Sequence, residues 1–131
     1  MKKILVIEDN RSIRENLEEL LTLSNYYVIT AKNGKLGIEA IQKQLPDLII
    51  CDVAMPEVDG YQVLDYVKSK SKTTKIPFVF VTSSAQKGEI EKGVLSGATS
   101  YLTKPYHTED LLETVERLLG YNETDVAIFS K

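Results

Sequence analysis

Residues 48–52, Leu-Ile-Ile-Cys-Asp, form a short apolar run that ends in a carboxylate. The run at 4–7, Ile-Leu-Val-Ile, ends in the same way with Glu8 and Asp9. Uninterrupted apolar runs of this length are typical of strands that are buried on both faces of a parallel sheet. Because parallel strands bring their carboxyl ends to one edge, Asp52, Glu8 and Asp9 are predicted to lie together. In open α/β sheets this is the edge where ligands bind.

The whole chain repeats this organisation, because β-rich apolar runs alternate with segments of helical periodicity. The predicted strands lie at 4–7, 26–31, 47–51, 77–81 and 99–102. The helical segments carry apolar residues at helical spacing: Ile13, Leu17, Leu20 and Leu21; Gly37, Ala40 and Ile41; Leu64 and Val67; Ile90 and Val94; Leu111, Val115, Leu118 and Leu119. Connections from strand to helix to strand are right-handed in nearly all proteins and give a parallel sheet covered on both faces. The sequence therefore predicts an α/β fold with a five-stranded, doubly wound parallel sheet, in which the more mixed runs 26–31 and 100–103 form the edges.

Local signals mark several helix ends and one boundary. Ser12 with Glu15 matches a capping box at the start of the first helix, and Thr108 is a candidate cap for the last. Gly120 is a typical helix stop. We therefore predict one domain at 1–120, followed at 121–131 by a tail or the start of a linker.

Composition narrows the class of protein. The 131 residues carry a formal net charge of −3, and Lys and Arg are scattered, which disfavours a nucleic-acid-binding domain. The single cysteine, Cys51, lies inside an apolar run and is predicted to be a buried thiol in a reducing compartment. No apolar run is long enough for a signal-peptide core or a membrane span, so we predict a cytoplasmic protein.

The predicted carboxylate cluster needs positive charge. Two carboxylates in close contact repel each other by about 4 kcal/mol at an effective dielectric constant near 20. Oxygen ligands of this kind suit Mg²⁺, and with the metal bound Asp52 could accept a phosphoryl group. Thr82 and Lys104 follow the fourth and fifth runs, where a hydroxyl and an ammonium could bind phosphoryl oxygens. Each residue alone has an ordinary explanation as a cap or a solvated side chain, but their coincidence at one edge favours a site.

Taken together, these pieces resemble the receiver domain of bacterial two-component response regulators. The similarity covers residues 3–119, and its motifs lie at 4–10, 46–52, 55–60, 81–84 and 97–105. The resemblance implies the strand order 2-1-3-4-5. It also implies a regulatory phosphoacceptor rather than an enzyme, although such domains assist their own phosphorylation and dephosphorylation.

The resemblance also implies a role for each matching residue. By this resemblance, Asp52 is the phosphoacceptor, Asp9 is the main carboxylate ligand of Mg²⁺, and Ala54 is a further ligand through its backbone carbonyl. Thr82 is the switch hydroxyl, Tyr101 is the switch aromatic residue, and Lys104 is the phosphoryl-binding lysine. The Lys104-Pro105 peptide bond is expected to be cis. Glu8 stands where the family has an acid, often Asp, and whether it reaches the metal directly or through water is left open.

Partners and output follow from the same resemblance. The phosphoryl donor would be a sensor histidine kinase or a phosphotransfer protein, and the output would be a protein effector, with no membrane or direct nucleic-acid contact by this chain. Phosphorylation would alter the output face, which we define as the fourth helical segment, the fifth strand and the fifth helical segment, residues 85–119. The chain would act as a monomer or as a phosphorylation-dependent dimer.

Two other classes of protein place chemistry at the same edge. Phosphotransferases and phosphatases of the haloacid-dehalogenase type also use an aspartate at a strand end, but they need a second Asp two residues later, where this chain has Ala54. A nucleotide-binding domain would need a glycine-rich loop after the first strand, and neither common form is present. A purely structural module that has lost its chemistry is the third alternative, although every required side chain is present.

Overall fold

The five predicted strands and four of the five predicted helical segments are present in the computed structural model, which describes residues 1–83, 91–92 and 95–120. The strands are β1 (Lys3–Ile7), β2 (Tyr27–Ala31), β3 (Leu48–Cys51), β4 (Phe78–Thr82) and β5 (Ser100–Thr103). The helices with defined bounds are α1 (Arg11–Leu23), α2 (Gly34–Gln44), α3 (Gly60–Ser69) and α4 (Thr108–Leu119). Helix α4 is the fifth helical segment of the sequence. Of the fourth segment, Glu91, Lys92 and Leu95 are helical, whereas Ile90 and Val94 lie outside the described residues. The predicted tail at 121–131 also lies outside them.

All five strands pair in parallel in the order β2-β1-β3-β4-β5, as predicted. Strands β3 and β4 are buried along their whole length, whereas β2 and β5 are partly exposed edges. Strand β1 pairs with β3 so that Ile7 lies opposite Cys51. Because both strands end at this pair, the acidic residues that follow leave the sheet side by side.

Helices cover both faces of the sheet, and alternate strand residues pack against them. One core layer, which includes Ile7, Ile49 and Phe80, packs against Ile41 of α2 and Val67 of α3. The opposite layer contains Ile4, Val6, Leu48, Ile50, Val79 and Val81 of the strands with Leu17, Leu21, Leu111 and Val115 of α1 and α4. The sheet is therefore doubly wound, and its strand ends are held from both sides.

Two predicted helix caps are wrong. Helix α1 begins after Asn10, whose side-chain oxygen accepts a hydrogen bond from the Ile13 amide at 3.0 Å, so the Ser12 and Glu15 capping box is not used. Asn10 has the same capping chemistry as Ser12 and stands earlier in the chain, at the point where the backbone is still extended. Helix α4 follows His107, and Thr108 is its first residue. Within the described residues, no helix combines the length and apolar composition needed to cross a membrane.

Candidate functional site

Three carboxylates meet at the carboxyl ends of β1 and β3. The Asp52 amide donates to the Ile7 carbonyl at 3.0 Å, so the turn after β3 starts against the end of β1. One carboxylate oxygen each from Glu8, Asp9 and Asp52 lie within 4.8 Å of one another. Glu8 and Asp52 are buried, whereas Asp9 is exposed. Such an arrangement of hard oxygen donors fits a divalent cation of the magnesium type.

The ammonium of Lys104 enters this cluster from the end of β5. The Lys104 backbone amide donates to the Thr82 carbonyl at 2.7 Å, which fixes the residue beside β4. Its Nζ atom lies 2.8 Å from Glu8 Oε1 and 3.4 Å from Asp52 Oδ2. The Lys104-Pro105 peptide bond is cis. Lys104 thus pairs with two of the three carboxylates, and among the described residues no cation forms an ion pair with Asp9, so negative charge is left for a metal ion.

The three carboxylates differ in how many hydrogen-bond and ion-pair partners they have within the protein. Glu8 Oε1 accepts from Lys104, and Glu8 Oε2 accepts from the Asn10 amide at 3.0 Å. Among the described residues, no hydrogen bond or ion pair engages the Asp9 side chain. Asp9 is therefore the carboxylate most available to an incoming metal, while both oxygens of Glu8 already have protein partners.

Burial and pairing shift the titration of the buried pair. Burial raises the pKa of Glu8, and the hydrogen bonds from Lys104 and Asn10 only partly offset this. For Lys104 burial lowers the pKa, but pairing with Glu8 and Asp52 outweighs it and raises the pKa above its ordinary value. Lys104 is therefore a cation at neutral pH, paired with Glu8 and Asp52.

The turn after Asp52 is held tightly by the start of α3. Asp59 caps this helix and forms a capping box with Gln62. The Gly60 amide donates to the Val53 carbonyl at 2.8 Å. A Cβ atom at Gly60 would lie 2.4 Å from the Asp52 carbonyl oxygen and 2.9 Å from a Phe80 ring carbon. Only glycine permits this approach, so Gly60 lets α3 pack directly against the backbone of Asp52.

The remaining predicted site residues lie on β4, on β5 and in the turn after Asp52. Thr82 ends β4 and is buried, while Tyr101 is half-buried on β5, with its ring centroid 5.9 Å from that of Phe80. Ala54 is exposed in the turn after Asp52. Within the part of the chain that is described, no hydrogen bond occupies the Ala54 backbone carbonyl.

Arg14 is a site residue that the sequence reasoning missed. Its Nη1 atom donates to the Glu8 carbonyl at 2.9 Å and to the Asp9 carbonyl at 3.4 Å. The guanidinium thereby holds the backbone of the acidic pair from the first turn of α1. The available signal was its position on the first turn of the helix that follows β1, because side chains on a helix lean toward its N-terminus and can reach back to the strand end.

Cys51 is the neighbour of Asp52 and is fully buried, as predicted. Burial raises the pKa of its thiol well above the ordinary value, with a further contribution from the nearby carboxylates. A thiol held in this form is a poor nucleophile. Cys51 is therefore not a candidate nucleophile at the end of β3.

Residues 4–116 match the family model of the response regulator receiver domain. The chain belongs to this family. A polar-differentiation response regulator, DivK from Brucella anthropi, is 31% identical over 119 residues, which cover 91% of this chain and 97% of DivK. Three other curated relatives are longer, and this chain spans about half of their length, 46 to 49%.

Solved receiver structures have the same architecture. The chemotaxis protein CheY4 of Vibrio cholerae superposes with a TM-score of 0.86 at 34% identity, covering 91% of this chain and 99% of that one. The receiver domain of the sensor histidine kinase PA1611 from Pseudomonas aeruginosa superposes with a TM-score of 0.84 at 26% identity, covering 91% and 98% of the two chains. That structure has a magnesium ion coordinated in its active site cleft. The haloacid-dehalogenase alternative receives no support from these comparisons.

Proposed function

We propose that this receiver domain accepts a phosphoryl group on Asp52 with the help of Mg²⁺ and thereby regulates a protein partner. The observation that carries the proposal is the juxtaposition of Asp52 with Glu8, Asp9 and Lys104 at one edge of the sheet. Family membership supports a regulatory phosphoacceptor rather than a catalyst with turnover. The receiver unit would comprise residues 1–120 and act in the cytoplasm, with 121–131 as a tail or linker.

The metal would be held mainly by Asp9 and Asp52, together with the backbone carbonyl of Ala54. Both oxygens of Glu8 already have protein partners, so we propose that Glu8 contributes through water and positions Lys104. When bound, Mg²⁺ supplies positive charge against the phosphoryl oxygens. The magnesium ion in the PA1611 receiver domain supports this choice of metal.

The chemistry of transfer follows from the positions of the side chains. A carboxylate oxygen of Asp52 would attack phosphorus in line, forming the acyl phosphate as the bond from phosphorus to the donor histidine nitrogen breaks. Lys104 would then move its ammonium from Glu8 toward a phosphoryl oxygen, since the phosphoryl group adds about −1.5 to −2 charges. The Thr82 hydroxyl would donate to a second oxygen.

A direct test is to incubate the protein with a phosphohistidine donor or acetyl phosphate, with and without Mg²⁺, and to measure intact mass. We expect a single acid-labile phosphoryl adduct that forms only in the presence of the metal. The donor would be a sensor histidine kinase or a phosphotransfer protein, which affinity purification from the native cell would identify. An adduct that forms equally well after chelation of all divalent cations would contradict the proposed chemistry.

Phosphorylation would change the position of Thr82, and this change would alter Tyr101 on the output face. We expect a beryllofluoride mimic at Asp52 to change hydrogen exchange across residues 85–119, and Thr82→Ala to suppress most of this change while the mimic still binds. The reason is that one or two charge-assisted hydrogen bonds, about 1.5 to 3 kcal/mol each, can make a minor conformation dominant. Thr74→Ala is a matched control, because this threonine lies in the loop after α3. Unchanged exchange on this face of the wild type, with Asp52 occupied, would rule out the switch.

A further inference from the structure

An aromatic row connects the helical residue Lys92 with the predicted switch residue Tyr101. Lys92 Nζ lies 4.3 Å from the centroid of the Tyr61 ring on α3. The Tyr61 ring centroid lies 5.2 Å from that of Phe80 in a tilted arrangement, and the Phe80 centroid lies 5.9 Å from that of Tyr101 in an edge-to-face arrangement. These spacings fall in the range where cations and aromatic rings attract one another. Four side chains from α3, β4, β5 and the segment containing Lys92 are therefore in one continuous chain of contacts.

Phe80 is the centre of this row. It is fully buried, so displacement of its ring must be accommodated by its neighbours. One edge of the ring lies against Gly60, the residue that packs on the carbonyl of Asp52. Phe80 thus lies beside Gly60, the first residue of α3, on one side and beside the rings of Tyr61 and Tyr101 on others.

We infer that the contact of Lys92 with Tyr61 is a clamp that favours the unphosphorylated arrangement of Tyr101, which makes Lys92 a positioning residue for the switch. The inference rests on the proposed function, because it assumes that Tyr101 has two arrangements. The clamp is present in the arrangement in which Lys104 pairs with Glu8 and Asp52. A contact made in only one of two states shifts the equilibrium toward that state and weakens any ligand that favours the other by the same factor.

The size of the effect follows from the exposure of Lys92. The residue is exposed, so its cation–π contact is at the weak end of the range for such contacts. We expect Lys92→Met, which keeps an unbranched stem but removes the charge, to increase the affinity of the protein for beryllofluoride about two- to five-fold. Lys92→Arg retains a cation for the ring and should behave as the wild type.

The chain offers a matched control at the other end of α3, where Lys70 is the residue that follows the helix. Lys70 Nζ lies 5.9 Å from the Tyr66 ring centroid, and among the described ring contacts Tyr66 is not part of the row through Phe80. Lys70→Met also removes an exposed cation from an aromatic ring of α3. It should leave beryllofluoride affinity unchanged, because no ring contact among the described residues joins Tyr66 to Tyr101.

The decisive measurement is a set of amide spectra of residues 100–103 for all four proteins. In the free protein, Lys92→Met should move these resonances toward their positions in the wild type bound to beryllofluoride, and Lys92→Arg and Lys70→Met should not. No movement in Lys92→Met, movement in the opposite direction, or equal movement in either control would overturn the clamp.

The same four proteins distinguish failure of the clamp from failure of the proposed function. If the wild type binds no beryllofluoride, the proposed function fails. Hydrogen exchange of residues 100–103 in the free proteins then tests whether the clamp exists. Faster exchange in Lys92→Met alone would support it. Equal exchange in Lys92→Met, Lys92→Arg and the wild type would overturn it.

Discussion

Asp52→Asn is expected to abolish the phosphoryl adduct completely. The amide is nearly the same size as the carboxylate, so the turn against Gly60 should be kept. It lacks the anionic oxygen that attacks phosphorus in the reaction we propose. The substitution also removes one negative charge from a crowded cluster, so loss of the adduct would not reflect unfolding. Intact mass after incubation with donor and Mg²⁺ measures the result, and thermal unfolding of the variant checks the fold.

Asp65→Asn is the matched control for this experiment, because Asp65 is an exposed carboxylate on α3. It should be phosphorylated as the wild type is. An acid-labile adduct on Asp52→Asn would mean that a different side chain accepts the phosphoryl group, and peptide mapping would then identify it.

Asp9→Ala is expected to weaken Mg²⁺ binding at least ten-fold, about 1.4 kcal/mol, and Glu8→Ala is expected to weaken it less. The difference arises because the Asp9 carboxylate has no protein partner among the described residues, whereas Glu8 binds Lys104 and the Asn10 amide. Removal of Glu8 would leave Lys104 paired with Asp52 alone, which accounts for the smaller loss. Calorimetric titration with Mg²⁺ compares the two variants with the wild type.

The comparison can also contradict the proposed ligands. Equal affinity of Asp9→Ala and the wild type would exclude Asp9 as a ligand. A larger loss of Mg²⁺ affinity for Glu8→Ala than for Asp9→Ala would make Glu8, and not Asp9, the more important ligand. Asp65→Ala serves as the control for loss of an exposed carboxylate that is remote from the strand ends.

The strand ends were predictable because burial imposes apolar runs that stop where the backbone leaves the sheet. The prediction of 47–51 for the third strand differs by one residue from the observed Leu48–Cys51. Because the carboxyl ends of parallel strands lie at one edge of the sheet, Glu8 and Asp52 meet there when their strands are neighbours. That β1 and β3 are neighbours came from the resemblance to receiver domains, because periodicity alone does not order strands.

The details of pairing were not predictable from the sequence. Lys104 and Glu8 are 96 residues apart in the sequence. Whether the ammonium of Lys104 pairs more closely with Glu8 or with Asp52 depends on the side-chain conformations within the cluster. The start of α1 was misplaced because Asn10 and Ser12 offer the same capping chemistry, and only the backbone angles select between them. The row through Tyr61, Phe80 and Tyr101 depends on the register of β4 against β5, which is set by the whole sheet.

The burial of Cys51 has a practical consequence for work on this protein. It is the chain's single cysteine and lies at the end of a central strand, so thiol reagents can reach it only when the strand separates from its neighbours. The rate of its reaction with such a reagent therefore reports the free energy of opening the sheet beside Asp52, without any introduced probe. In the native state, a fluorophore or spin label placed on an introduced surface cysteine can be attached selectively while Cys51 stays unmodified.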